Sequence, residues 1–173
     1  MLHGGPGAPS YYLNPLEQVS VDRPVIFYDQ LGAGRSDRPT DTSLWRIDRF
    51  ISELESIREA LGLEELHILG HSWGSMLAVD YMLTEPDGVR SLILASPALS
   101  VRRWAEDADR LIAQMPEELQ RTIERHEASG TTADPEYQSA TMEYYKLFLS
   151  RSDPWPADLL ETFENFNTEL YGF

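Results

Sequence analysis

The sequence predicts an α/β fold in which a parallel sheet occupies the first part of the chain and helices occupy the rest. Up to about residue 97, short apolar runs of strand length alternate with helical stretches, a pattern that favours parallel strands joined by crossover helices. After Pro97, no apolar run of strand length interrupts the helical stretches. The third observation is a Gly-x-Ser-x-Gly motif between a predicted strand and a predicted helix. We therefore expect a sheet-bearing domain over residues 1–97 and an all-helical one over residues 98–173.

The first predicted elements are a strand and the helix that follows it. The apolar run PVIFYD at 24–29 ends in the turn-rich segment QLGAGRSDRPTD, which indicates a buried strand leading into a loop. Thr42 or Ser43 can cap a helix whose apolar residues recur at helical spacing, with Gly62 as its stop. LHILG at 66–70 predicts the next buried strand.

A helix, a third strand and the helical region complete the predicted chain. The segment WGSMLAVDYML predicts a helix that halts near Pro86, and SLILAS at 91–96 predicts the third strand. Prolines and a Gly-Thr-rich turn separate the helical stretches of the second part, which are expected at roughly 99–114, 117–128, 135–150 and 157–170.

Composition limits the partners of this chain. Its 29 acidic and 14 basic residues give a net charge of −15, which repels nucleic acid and anionic lipid surfaces. The absence of cysteine excludes disulfides, zinc-thiolate sites and a cysteine nucleophile. Because no stretch approaches the roughly 20 apolar residues that span a bilayer, we expect no membrane partner. A cytoplasmic location is compatible with these features, and the oligomeric state is not determined by them.

The pentapeptide GHSWG at 70–74 is typical of a nucleophile elbow. In such an elbow the serine, here Ser72, sits on a strained turn between a strand and a helix. Gly70 and Gly74 would leave room for the backbone and the helix to pass closely. The alternative is that both glycines only end a strand and pack a helix.

The segment HGGPG at 3–7 supplies a second candidate piece of the same site. Acyl transfer passes through an oxyanion that needs two preorganised N–H donors, one of them from the residue after the nucleophile, here Trp73. Gly5, with Gly4 beside it, is the candidate for the other donor, and Gly5 precedes Ser72 by 67 residues. The alternative is a flexible proline-containing turn.

The Gly-x-Gly within DQLGAGRSDRP at 29–39 does not indicate a dinucleotide site. That site requires a third glycine three residues after the second and an immediate helix. Asp37 stands at that position, and the loop continues to Pro39. We therefore expect a tight turn here, and no organic cofactor or metal is implied by the motifs.

Taken together, HGGPG, DQLGAGRSDRP and GHSWGSMLA in this order resemble the proline iminopeptidase group of α/β-hydrolases. The segment DPEYQSATMEYYKLFLSRSDPWP is similar to the helical cap of that group. The resemblance implies an incomplete α/β-hydrolase sheet followed by a cap truncated at its C-terminal end. It also implies a serine peptidase that releases N-terminal amino acids, often proline, from short peptides or amino-acid amides. Ser72 would be the nucleophile, and the amides of Gly5 and Trp73 would bind the oxyanion.

None of the four histidines fits the role of general base. His71 adjoins the nucleophile, but neighbouring side chains on an elbow point apart. His67 falls in a predicted strand and is expected to be packed there. His3 precedes the nucleophile and is expected to hold the oxyanion loop, and His126 is expected to be a solvated residue of a polar helix.

The resemblance places the triad acid and histidine after the cap, beyond Phe173. It also places the strand that enters HGGPG in the middle of the sheet, between 24–29 and 66–70, with only Met1 and Leu2 of it present. We therefore expect part of a longer hydrolase that is inactive alone. The alternatives are an amidase or esterase of the same superfamily, and a non-catalytic remnant that needs a complementary chain.

Overall fold

The computed structural model describes residues 1–172, and their contacts divide the chain into two units. The first unit contains Met1–Leu99 together with the residues from Ala157 onward, and the second is Ser100–Pro156. The contacts thus group the last helical stretch with the sheet and not with the helices before it. The division into a core domain over 1–97 and a cap over 98–173 stays a prediction.

The first unit contains a parallel sheet with helices between and beside its strands. Strands β1 and β2 pair in parallel, with Ile68 opposite Leu92 and His71 opposite Ala95. The alternation of strands and helices that the sequence predicts is therefore confirmed. The bounds of these elements are α1 Ile47–Leu61, β1 Leu66–His71, α2 Trp73–Met82 and β2 Val89–Ala95.

The start of the chain lies beside β1. The amide of Leu2 donates to the carbonyl of Leu69 at 2.7 Å, and the carbonyl of Leu2 accepts from the amide of His71 at 3.0 Å. On the other side, the amino group of Met1 donates to the carbonyl of Ile26 at 2.7 Å. The expected position of this segment, between the run that contains Ile26 and β1, is confirmed.

The strand predicted over 24–29 is wrong, because the structure assigns no strand there. A strand requires a ladder of backbone hydrogen bonds to a neighbour. Within residues 1–172, the backbone of this run forms one hydrogen bond to a segment outside its own loop, in which the carbonyl of Ile26 accepts from the amino group of Met1. Apolar composition was therefore not sufficient to give this run a paired partner.

The helix predicted from Thr42 or Ser43 begins later, at Ile47. A 3₁₀ turn at Thr42–Leu44 comes first, and the carboxylate of Asp41 accepts from the amide of Ser43 at 3.0 Å. The end of the helix is confirmed, since Gly62 has the left-handed conformation, with φ 63° and ψ 37°.

Two further helical features differ from the prediction. A 3₁₀ helix at Ser10–Val19 was not predicted from the sequence. The helix predicted over 157–170 is two helices, α6 (Ala157–Glu164) and α7 (Thr168–Tyr171). The side chain of Asn167 caps α7 by accepting backbone amides, so the chain begins a new helix at that point.

Each unit has its own apolar core. Burying a large apolar side chain stabilises a fold by roughly 1.5–3 kcal/mol, and the core of the first unit holds several that are nearly inaccessible. Its buried members are Leu2, Trp45, Phe50, Leu54, Ile68, Leu77, Ala78, Tyr81 and Leu170. The second unit consists of α3 (Val101–Ile112), α4 (Glu117–Ser129) and α5 (Pro135–Phe148), with a smaller core of Met115, Ile123 and Ala140.

Within residues 1–172, no helix is both long enough and apolar enough to cross a membrane. The cytoplasmic location stays a prediction.

Candidate active site

Ser72 occupies a strained turn between β1 and α2. Its backbone has φ 53° and ψ −120°, a conformation that costs a non-glycine residue on the order of 1–3 kcal/mol. The turn is fixed on both sides: the amide of Ser72 donates to the carbonyl of Ala95 at 3.1 Å, and its carbonyl accepts from the amide of Ser75 at 2.9 Å. The hydroxyl of Ser75 also donates to that carbonyl. Strain held by surrounding bonds is what a nucleophile elbow requires.

The two glycines of the motif have no room for a side chain. A Cβ atom at Gly70 would lie 2.8 Å from the carbonyl carbon of Gly74 and 2.9 Å from Cα of Ser75. A Cβ atom at Gly74 would collide with the carbonyl oxygens of Leu2 and His3, the latter at 2.6 Å. The elbow can therefore turn this tightly only with glycine at both positions.

The Gly-rich loop at 3–7 lies against the elbow. A Cβ atom at Gly4 would be 3.1 Å from Cβ of Ser72, so the fold brings together two motifs far apart in sequence. Gly5 has φ 115°, and its amide has no hydrogen-bond partner among residues 1–172. The amide of Trp73 opens α2, where helix geometry provides no acceptor and the helix dipole is positive.

Gly4 does not fit the predicted role of oxyanion donor. Its amide donates to the hydroxyl of Tyr12 at 2.8 Å, so this N–H group is already satisfied. The amide of Gly4 meets Tyr12 because Gly4 lies between the elbow and the 3₁₀ helix that carries Tyr12. Of the three amides proposed from the sequence, those of Gly5 and Trp73 remain as candidates.

His3 holds the Gly-rich loop through a buried hydrogen-bond network. Its Nδ1 is 2.9 Å from the carbonyl oxygen of Gly4, and its Nε2 accepts from the amide of Gln30 at 2.8 Å. The side chain of Gln30 donates to the carbonyl of His3 at 3.1 Å and accepts from the indole of Trp73 at 3.1 Å. These bonds connect the two candidate oxyanion segments, so their relative position is fixed.

We expect the protein to lose stability as the pH falls from 6.5 towards 4. Burial lowers the pKa of His3 from 6.5 to about 4, so the unfolded chain takes up this proton first. The part of the free energy of unfolding that depends on neutral His3 is fully present above pH 6.5. It is lost as the pH falls through the folded-state pKa, a loss of about 3 kcal/mol. Urea denaturation at several pH values should show it. His3→Gln, which has no ring to titrate, should remove that part of the pH dependence, and an unchanged dependence would contradict this assignment.

Asp29 organises the loop that the sequence predicts to be a tight turn. Its carboxylate accepts from the amide of Ser10 at 2.8 Å, the hydroxyl of Ser10 at 2.9 Å and the amide of Arg35 at 3.0 Å. Burial by itself would raise the pKa of Asp29, but these bonds hold it below its ordinary value. The turn is confirmed by the bond from the amide of Ala33 to the carbonyl of Gln30, at 2.9 Å.

No histidine among residues 1–172 forms a hydrogen bond with the hydroxyl of Ser72. His71 points to the Tyr12 hydroxyl, with its Nδ1 at 2.7 Å. His67, expected to be packed, is instead exposed, and its Nδ1 lies 2.7 Å from the hydroxyl of Ser91 on the neighbouring strand. Among residues 1–172, the candidate nucleophile therefore has no histidine in position to act as its base.

His126 was expected to be solvated, and the structure corrects this because only 7% of the residue is exposed. Its Nδ1 is 2.7 Å from the hydroxyl of Thr131. Ligand atoms of His126, Asp134 and Glu136 lie within 4.8 Å of one another, an arrangement that could hold a cation. However, the guanidinium of Arg125 lies 2.6 Å from the Glu136 carboxylate and 3.2 Å from Nε2 of His126. Two of the three candidate ligands, His126 and Glu136, therefore already have a cationic partner.

Two residues at the site were missed by sequence reasoning. Gln30 directly follows the strand predicted over 24–29, and a polar residue at the end of a predicted parallel strand is a signal that could have indicated the site. Tyr12 carries no comparable signal, because its contact with His71 spans 59 residues.

The combination of a strained serine between a parallel strand and a helix with a Gly-rich loop against it defines a hydrolase class. The family model described as alpha/beta hydrolase fold matches residues 1–170, and the chain belongs to that family. Within it, the expected similarity to proline iminopeptidases is confirmed. The proline iminopeptidase of Heyndrickxia coagulans is 48% identical over 172 residues, covering 99% of this chain and 60% of that protein. The proline iminopeptidase of Clostridium botulinum (strain Hall) is 41% identical over 146 residues, covering 83% and 50%.

Solved structures show the same similarity. The crystal structure of the Mycobacterium smegmatis proline iminopeptidase superimposes with a TM-score of 0.86 at 35% identity, covering 98% of this chain and 59% of that one. The crystal structure of VinJ gives a TM-score of 0.94 at 34% identity, covering 98% and 60%. The chain thus spans about 60% of the length of these relatives.

Proposed function

We propose that this chain is the nucleophile-bearing part of a serine aminopeptidase that releases N-terminal amino acids, preferably proline, from short peptides or amino-acid amides. The observation that carries the proposal is the strained backbone of Ser72, at φ 53°, with the Gly-rich loop against it. The similarity to proline iminopeptidases supports the substrate class.

In the proposed reaction, the hydroxyl of Ser72 attacks the carbonyl carbon of the N-terminal residue. The resulting tetrahedral oxyanion lies between the amides of Gly5 and Trp73, which are preorganised and do not have to break other bonds to bind it. A histidine outside residues 1–172 takes the serine proton and returns it to the leaving amine, and water then releases the acyl group. The helices of the second unit would belong to the helical cap that the resemblance implies.

The test is to express the complete gene product, meaning this chain with any coding sequence that flanks it. We expect rapid hydrolysis of proline arylamides, slower hydrolysis of leucine arylamides, and little hydrolysis of short acyl esters. Turnover of esters alone would contradict the peptidase assignment and favour an esterase of the same family. Failure of a serine-directed fluorophosphonate to label Ser72 would favour a non-catalytic chain.

The 173-residue chain alone provides the matched comparison. We expect its turnover of proline arylamides to be negligible, because none of its described histidines contacts the nucleophile. Rapid hydrolysis by this chain, abolished by Ser72→Ala, would show that the base lies within it.

A further inference from the structure

The hydroxyl of Tyr12 lies at the junction of the Gly-rich loop and the elbow. It accepts the amide hydrogen of Gly4 at 2.8 Å and lies 2.7 Å from Nδ1 of His71. The two rings meet edge to face, with their centroids 5.1 Å apart. A single side chain thus contacts the loop that carries Gly5 and the residue that precedes Ser72.

The hydroxyl of Tyr12 both accepts and donates a hydrogen bond in this contact. The Gly4 amide can only donate, so the phenol oxygen accepts there and its own proton is available for Nδ1 of His71. Burial raises the pKa of Tyr12 to about 12 and lowers the pKa of His71. At neutral pH the phenol therefore keeps its proton, and the imidazole is neutral and can accept it.

The backbone of Tyr12 is held from the other side. Its amide donates to the hydroxyl of Thr162 at 3.1 Å, and that hydroxyl donates to the carbonyl of Asp158 at 2.8 Å. Thr162 is buried, and the side chain of Asn14 also bonds to Asp158, at 3.1 Å. The helix that carries Tyr12 is thus fixed to α6, which limits the movement of its hydroxyl.

We propose that Tyr12 is a positioning residue for the oxyanion site, whose hydroxyl fixes the distance between the Gly-rich loop and the elbow. It would act through Gly4 and His71 and would not touch the reacting atoms. By occupying the Gly4 amide it also leaves the oxyanion to Gly5 and Trp73. The inference rests on the proposed function, because an oxyanion site matters only if Ser72 attacks a carbonyl.

The main test is Tyr12→Phe in the complete gene product, which removes both hydrogen bonds and keeps the ring against His71. We expect kcat for a proline arylamide to fall roughly 10- to 100-fold, somewhat less than the loss of an oxyanion donor itself. KM should change by less than about 2-fold, since the interaction matters mainly in the transition state. Affinity for a proline boronic acid, a tetrahedral analogue, should fall by the same factor as kcat/KM.

Tyr11→Phe is the matched control, because Tyr11 is the neighbouring residue and its hydroxyl has no hydrogen bond among residues 1–172. Equal kcat values for the two variants would overturn the proposal. A raised KM with unchanged kcat in Tyr12→Phe would also overturn it, since that result indicates a role in substrate binding alone.

Two further measurements keep the test decisive. If Tyr12→Phe does not fold, His71→Leu removes the acceptor of the phenol proton, together with the ring that meets Tyr12, and leaves the Gly4 bond. It should lower kcat with KM unchanged, and a normal kcat would refute the proposal. Amide hydrogen exchange at Gly4 should be at least about 10-fold faster in Tyr12→Phe than in Tyr11→Phe. If the wild-type protein neither turns over arylamides nor labels at Ser72, the proposed function fails by itself. Unchanged exchange at Gly4 would then still refute the contact of Tyr12.

Discussion

Replacing Ser72 with alanine is expected to reduce kcat of the complete gene product by a factor on the order of 10⁴ or more. The substitution removes the oxygen that is proposed to form the acyl-enzyme, while the two candidate oxyanion amides stay in place. Because an alanine keeps the same Cβ, the strained backbone at φ 53° should persist. The measurement is steady-state hydrolysis of a proline arylamide, together with fluorophosphonate labelling followed by mass spectrometry.

Ser52→Ala is a suitable control for this substitution. Ser52 is exposed on α1 and donates only to the carbonyl of Asp48 one turn earlier, at 2.9 Å, so its loss should leave kcat within about 2-fold of the wild type. Retained labelling in Ser72→Ala would mean that another residue is the nucleophile, and the elbow would then be only structural.

Replacing Gly74 with alanine is expected to destabilise the protein by about 2 kcal/mol or more. Two effects oppose each other at this position. Alanine is favoured over glycine within a helix by about 1 kcal/mol, and Gly74 lies in α2. However, its Cβ would collide with the carbonyl oxygens of Leu2 and His3, and backbone atoms held in a core cannot move aside as a flexible side chain can. The steric cost of the added Cβ atom should therefore exceed the gain in helix propensity from alanine.

Thermal unfolding followed by circular dichroism would measure this effect, and labelling of Ser72 should fall with it. Gly172→Ala is the matched control: Gly172 has φ −83°, and a Cβ atom there would meet no atom closer than the carbonyl oxygen of Thr168, at 3.4 Å. A melting temperature for Gly74→Ala equal to that of Gly172→Ala would show that the backbone at Leu2 does not pack against α2 at Gly74.

The sequence predicted the parts of the fold that depend on local chemistry. Strand β1, helix α2, strand β2 and the stop at Gly62 all follow from apolar spacing and from a glycine that can adopt a left-handed conformation. Local patterns did not predict whether a segment finds a partner. The run 24–29 has strand-like composition, yet within residues 1–172 its backbone forms one bond to a segment outside the loop region, from Met1. Similarly, His126 lies in a helix of polar composition, but it is buried where its ring meets Thr131 and Tyr137 of α5.

The features of the site also fall into those that local sequence predicts and those that depend on tertiary contacts. The sequence by itself determined the candidate nucleophile, the two glycines of the elbow and the Gly-rich loop. Each of them depends on residue type, since the chemistry needs a serine hydroxyl and the tight turns need residues without a Cβ atom. Only the tertiary structure decided which amides are free. The sequence offered Gly5 as the loop donor with Gly4 beside it, and the structure shows that the amide of Gly4 donates to the hydroxyl of Tyr12. The physical reason is that hydrogen bonds between distant segments depend on how the chain brings them together, and no local spacing encodes a contact between residues as far apart as Tyr12 and His71.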